Sequence, residues 1–174
     1  TAAAWLTKAA EGGNPQAQMN LGMLFTGIYA NEPKWPDAFK WLGKAAEQGL
    51  ADAQYNLALL HLEGRGTPKN PVIAAQWFSK AALQGMPEAA LEYGVLIFRG
   101  EGVQRDEKIG AKWLTVAALR GNPIAQNRLA RAYLAGLGVS ADPIEAAKWN
   151  ILAKASGRGD IELDAAFEKL TADQ

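Results

Sequence analysis

Five of the chain's six tryptophans, Trp5, Trp41, Trp77, Trp113 and Trp149, stand 36 residues apart, and Trp35 alone falls outside the series. A fixed period of that length admits few folds, because each repeat is one small supersecondary unit that buries its apolar face against its neighbours. Two further columns keep the same step. Eight residues after each tryptophan of the series stands Gly13, Gly49, Gly85, Gly121 or Gly157, and four after it Ala9, Ala45, Ala81, Ala117 or Ala153. Ala17, Ala53, Ala89 and Ala125 precede their tryptophan by 24 residues, and Ala38, Ala74, Gly110 and Ala146 precede it by three.

Each unit reads as two helices. In the second, the small residue, the Trp and the Ala fall at i, i+3 and i+7, which is one helix face on which a large ring meets small neighbours. The column is therefore expected to be structural, and Trp77→Ala to open a cavity. The Gly eight after each Trp suits a left-handed helix stop. In Gly13-Asn14-Pro15 and Gly121-Asn122-Pro123 the stop is followed by an N-capping Asn and a Pro for the first helical position, which starts a first helix of about 12 residues. That helix ends in a turn, Gly64-Arg65-Gly66, Gly100-Glu101-Gly102 or Gly136-Leu137-Gly138. None of these turns has the third glycine and preceding strand of a nucleotide loop.

Composition removes whole classes of chemistry. The 174 residues include no cysteine, which excludes disulfides, thiol catalysis and Cys-built zinc sites. Lys plus Arg and Asp plus Glu are 18 each, and the 7 basic and 6 acidic residues before Pro87 are matched by 11 and 12 from there on. The clustered basic charge of a nucleic-acid binder is missing. No apolar run reaches the 18 or so residues that span a bilayer, and no membrane insertion is expected. The one histidine, His61, lies in LALLHLEG at the place held by Phe25, Ile97 and Tyr133 in other units, so a packed ring is expected. His61-Leu62-Glu63 lacks the P-C-x-x-C partner of a zinc deaminase. No catalytic residue, metal site or cofactor is assigned.

The pattern A-x-A-Q-Y-N-L-A/G, then G-x-G, Asp or Asn, A-x-x-W and K-A-A-x-x-G, resembles the Sel-one-like repeat (SLR), a relative of the tetratricopeptide repeat (TPR). Ala51, Ala53, Gln54, Tyr55, Asn56, Leu57, Gly64, Gly66, Asn70, Ala74, Trp77, Lys80, Ala81, Ala82 and Gly85 carry the match in one unit. The resemblance implies an all-α, right-handed α-solenoid of antiparallel helix pairs. Its frame is a single array: a partial unit 1–14, repeats 15–50, 51–86, 87–122 and 123–158, and a C-terminal capping helix 159–174. It implies a non-catalytic scaffold or adaptor binding a partner protein or peptide in a bacterial envelope, signalling or host-interaction setting, periplasmic or secreted. Some Cys-rich bacterial members are linked to β-lactams, so the alternative is an envelope enzyme or small-ligand binder acting on peptidoglycan or a β-lactam. The Ser-x-x-Lys centre this would call for is not met at Ser79, Ser140 or Ser156.

Two ends and one loop depart from the pattern. The segment from Ile28 to Pro36, holding Tyr29 and Trp35, replaces the usual turn, and Trp35 is a loop candidate for partner binding. Leu163, Ala166, Phe167 and Leu170, behind Asp160 as N-cap, read as the capping helix that a solenoid end requires. The chain begins inside a unit, which predicts residues upstream of Thr1, a signal peptide among the candidates. By analogy with TPR arrays, whose first helices line the concave face, the partner-facing stripe comprises Met19, Met23, Tyr55, Leu59, Leu62, Leu91, Val95, Phe98, Arg99, Asn127 and Arg131. It grades from apolar to basic, as expected for a peptide with apolar anchors and an acidic end; the alternative is that neighbouring helices bury it.

Overall fold

The computed structural model describes residues 2–28 and 32–172. Tyr29 and the side chain of Leu170 lie outside the described residues. Ten helices and no strand are found among the described residues: α1 (Ala2–Glu11), α2 (Pro15–Phe25), α3 (Trp35–Glu47), α4 (Ala51–Glu63), α5 (Pro71–Leu83), α6 (Pro87–Arg99), α7 (Glu107–Leu119), α8 (Pro123–Ala135), α9 (Pro143–Ala155) and α10 (Ile161–Ala172). The expected all-α architecture is the one observed. The chain divides into two compact units, Thr1–Met86 and Pro87–Gln174.

The columns read from the sequence set the helix ends. Asn14 and Asn122 accept hydrogen bonds from the backbone N–H of Ala17 and Ala125, each at 2.9 Å, and a proline follows each at the first helical position. Gly13, Gly49, Gly85, Gly121 and Gly157 all have positive φ, between 78° and 98°. The second glycine of the turn meets a different constraint. A Cβ on Gly66 would lie 2.3 Å from the Trp35 carbonyl oxygen, and one on Gly138 would lie 2.1 Å from that of Glu107. Both turns press against the start of the preceding second helix.

In the first unit α2 packs on α3, α4 on α5, and α3 on α4. Trp41, 8% exposed, is enclosed with Ala10, Ala17 and Leu21, and Trp77 packs against Ala45, Ala46, Ala53 and Leu57. Small residues make room for each ring. Trp5 departs from the structural role expected of its column: it is 73% exposed. In the second unit α6 pairs with α7 and α8 with α9, and Gly94 and Gly110 let the first pair close, since a Cβ on either would fall 3.0–3.1 Å from the other's carbonyl oxygen.

A row of glutamines that the sequence reading left without a role ties successive helices together. Gln18, Gln54 and Gln126 each donate to the carbonyl of an alanine eight residues earlier, Ala10, Ala46 and Ala118. Gln48 and Gln84 then donate to the side-chain oxygens of Gln18 and Gln54, at 2.7 and 2.8 Å. Satisfying those buried amides holds the register of the helix stack. Ser156 stands where a third such glutamine would fall, and the Gln126 side-chain oxygen has no hydrogen-bond partner among the described residues.

Candidate functional site

The first helices carry the stripe, and the structure sorts its members into four groups. Met23 and Leu59 face a pocket of about 280 Å³ in the first unit, together with Trp35. Val95, Phe98, Arg99 and Arg131 face another of about 180 Å³ in the second. Met19 packs on the core around Leu57, Leu91 is buried, and Tyr55 leans on the Phe78 ring at 5.6 Å between centroids. Leu62 is half-buried and lines neither pocket, and Asn127 is engaged elsewhere.

Both pockets occupy one place in the repeat. Met23 and Val95, Thr26 and Phe98, Leu42 and Leu114, and Leu60 and Ala132 are pairs 72 residues, or two repeats, apart. The same step relates Asn56 to Arg128, Leu59 to Arg131, and Arg65 to Leu137. Sequence reading missed Leu42, Leu114 and Leu137 as lining residues. The signal was present, since equivalent positions of a repeat recur at multiples of its period.

Electrostatics separate the two. In the first unit Arg65 pairs with Glu63 at 2.8 Å and lies over the half-buried Trp35 ring, 4.7 Å from its centroid. Trp35, expected in a loop, is thus the first residue of α3, half-buried and covered by the Arg65 guanidinium rather than standing free. In the second unit Arg99 and Arg128 are exposed, and they form no ion pair or hydrogen bond among the described residues. Their field reaches the half-buried Glu92: burial raises its carboxyl above the usual range, and Arg128 and Arg99 pull it back down.

Arg131 is the third guanidinium of that rim, and it is occupied. Its Nε donates to Asp160 at 2.7 Å and its Nη2 to the other Asp160 oxygen at 2.9 Å, while Nη2 also lies 2.9 Å from Glu162. Asn127 donates to Asp160 at 2.8 Å. Asp160 in turn caps α10, accepting from the N–H groups of Glu162 and Leu163. Burial opposes ionisation of this carboxyl, but hydrogen bonds from Asn127, Arg131 and the Leu163 backbone outweigh it and hold it below the usual carboxylate range. Two residues expected to face a partner therefore bind the chain's own trailing helix. A second pair supports it: Asn150 and Lys154 both donate to Asp164.

His61 is packed as expected. It is 7% exposed, edge-on to Phe39, with a pKa lowered by burial. No cluster of His, Cys, Asp or Glu able to hold a metal ion occurs among the described residues, and no described helix is long and apolar enough to cross a membrane.

With this geometry in place, comparison with known proteins is direct. The Sel1 repeat model matches residues 1–14, 15–50, 51–86, 87–122 and 123–157. A protective antigen of uropathogenic Escherichia coli strains, described as displaying an SLR fold, is 35% identical with a TM-score of 0.85 over 89% of this chain and 33% of its own. A Sel1 repeat protein from Oxalobacter formigenes is 34% identical with a TM-score of 0.83 over 90% of this chain and 62% of its own. The chain therefore spans less than two thirds of either relative. Helicobacter pylori cysteine rich protein B is 25% identical with a TM-score of 0.56, over 72% of this chain and 95% of its own. No curated protein matches. Sel1 repeats generally serve as protein-interaction scaffolds. The repeat, its turns and its helix pairs place this chain in the Sel1 repeat family.

Proposed function

We propose that the chain is a non-catalytic scaffold that binds a segment of a partner protein along the first-helix stripe. The observation that carries this reading is the recurrence of an apolar pocket at the same repeat position in both units, left open by the chain's own side chains. Half-buried apolar side chains around an open pocket are the ordinary make-up of an interaction surface. The likeness to a protective antigen of uropathogenic strains extends the proposal to a bacterial, host-facing setting.

The test is to select peptides from a random library on the purified chain and to map the winners by amide chemical-shift changes. Changes concentrated on α2, α4, α6 and α8 support the reading; changes confined to the exposed sides of α5, α7 and α9 overturn it. Nitrocefin turnover and muropeptide binding are measured alongside. Reproducible turnover by the purified chain would replace the scaffold with an enzyme.

A further inference from the structure

We propose that the pocket between α6 and α8 is an anchor site for one phenylalanine or leucine side chain of an acidic peptide segment, with Arg99 and Arg128 taking the carboxylates that flank it. This rests on the interaction reading above and gives it a place and a chemistry.

Size comes first. The pocket measures about 180 Å³. An apolar cavity of roughly 150 Å³ holds benzene and stays dry, so this volume suits one ring or one branched side chain. It falls short of the roughly 300 Å³ at which drug-sized ligand sites begin. Val95, Phe98, Leu114 and Leu137 supply apolar walls, and no acidic side chain lines them.

Charge decides the rest of the occupant. Arg99 and Arg128 stand exposed at the rim without an ion-pair partner among the described residues, and Glu92 beside them is half-buried. A guanidinium presents paired donors that match a carboxylate, and such contacts are charge-assisted. The third rim arginine shows that chemistry within the chain itself, since Arg131 holds the carboxylates of Asp160 and Glu162. A partner carrying acids around one bulky apolar residue repeats on Arg99 and Arg128 what the trailing helix does on Arg131. Two exposed arginines beside an apolar hole are too few for the phosphate track of a nucleic acid.

The experiment is fluorescence anisotropy on the full chain with a labelled nonapeptide of Asp and Glu around a central Phe. Saturable binding is expected, weakened about tenfold, or about 1.4 kcal/mol, by Phe→Ala or by Lys for the acids. Arg128→Glu and Leu137→Glu, both on exposed side chains, should each weaken it as much while melting like the parent. Arg120→Glu, of equal charge change but outside the pocket, should leave it unchanged. Equal binding by the alanine peptide, by the Arg128→Glu chain, by N-acetylphenylalanine alone or by an oligothymidylate overturns the proposal. Should this peptide fail while library-selected peptides still map to the first helices, the anchor chemistry is wrong and the scaffold reading stands.

Discussion

The pocket of the first unit and that of the second share a leucine floor but differ at the walls and the rim. Leu42 and Leu114 hold equivalent places below, Met23 and Val95 equivalent places at the side, and the volumes are of the same order. Above them, Asn56 gives way to Arg128, Leu59 to Arg131 and Arg65 to Leu137. At the start of the second helix, Trp35 gives way to Glu107, which pairs with Arg105. Packing dictates the leucine floor, since a core position tolerates little change of volume. The rim is half in water, where a charge substitution costs little stability. A repeat array can therefore keep one frame and vary its recognition chemistry unit by unit.

The largest expected effect tests the shared frame. Leu42→Ala and Leu114→Ala should each destabilise by about 2 to 5 kcal/mol, the range for truncating a buried leucine. Leu42 is 0% and Leu114 4% exposed. Chemical denaturation of the two variants should give similar losses. A nearly neutral Leu114→Ala alongside a costly Leu42→Ala would break the equivalence of the pockets.

Next comes the arginine the second unit spends on its own trailing helix. Arg131→Met leaves the buried Asp160 carboxylate without its main partner, a loss of about 1 to 3 kcal/mol, towards the lower end because the Arg131 side chain is 49% exposed. Hydrogen exchange should show α10 losing protection while α2 to α5 keep theirs. Acid sharpens the same point. The folded-state pKa of Asp160 is depressed, so its stabilisation is fully present above the unfolded value of about 3.9 and is lost as pH falls through the folded value. In Arg131→Met that acid-dependent part should shrink. An α10 equally protected in both proteins would mean the ion pairs do not hold it.

How much of this was legible follows from where the information sits. The 36-residue columns of Trp, Ala and Gly announce the helix pairs, and the sequence alone marks Asn14, Asn122 and Asp160 as caps, which they are. The columns repeat one residue type at a fixed step, and each cap stands directly before the start of its helix. Of the pockets only the floor is legible, in Leu42 and Leu114 two repeats apart; the walls pair unlike residues, Met23 with Val95 and Thr26 with Phe98, and leave no column to see. Arg131 was read as partner-facing because its own helix places it on the stripe. Its contact with Asp160 spans 29 residues and depends on how α10 folds back. Trp5 shows the converse: its column promises burial, and the ring is 73% exposed.

A transplant tests whether the rim alone sets the chemistry. Asn56→Arg combined with Glu63→Ala gives the first pocket an unpaired guanidinium and removes its acid. The double variant should bind the acidic nonapeptide about fivefold more tightly at that unit, or roughly 1 kcal/mol. It is read in an Arg128→Glu background so that the second pocket is silent. No gain there would show that the wall residues, Val95 and Phe98 against Met23 and Thr26, matter more than charge.

The smallest effect concerns Glu92, which shares Arg128 and Arg99 with the proposed ligand. Burial raises its pKa, while Arg128 from α8 and Arg99 from α6 lower it. A peptide carboxylate arriving at those arginines removes part of their pull, so the Glu92 pKa rises further on binding and protons are taken up. By linkage the affinity should then increase as pH falls from neutrality, until the peptide's own acids protonate near pH 4. Glu92→Gln removes the competing charge for good. It should bind the peptide about two- to threefold more tightly at neutral pH, or roughly half a kcal/mol, and lose the part of the pH dependence that precedes the peptide's own titration. Anisotropy titrations of the two proteins across that interval decide it: parallel curves, or a weaker Glu92→Gln, place Glu92 outside the field that the ligand feels.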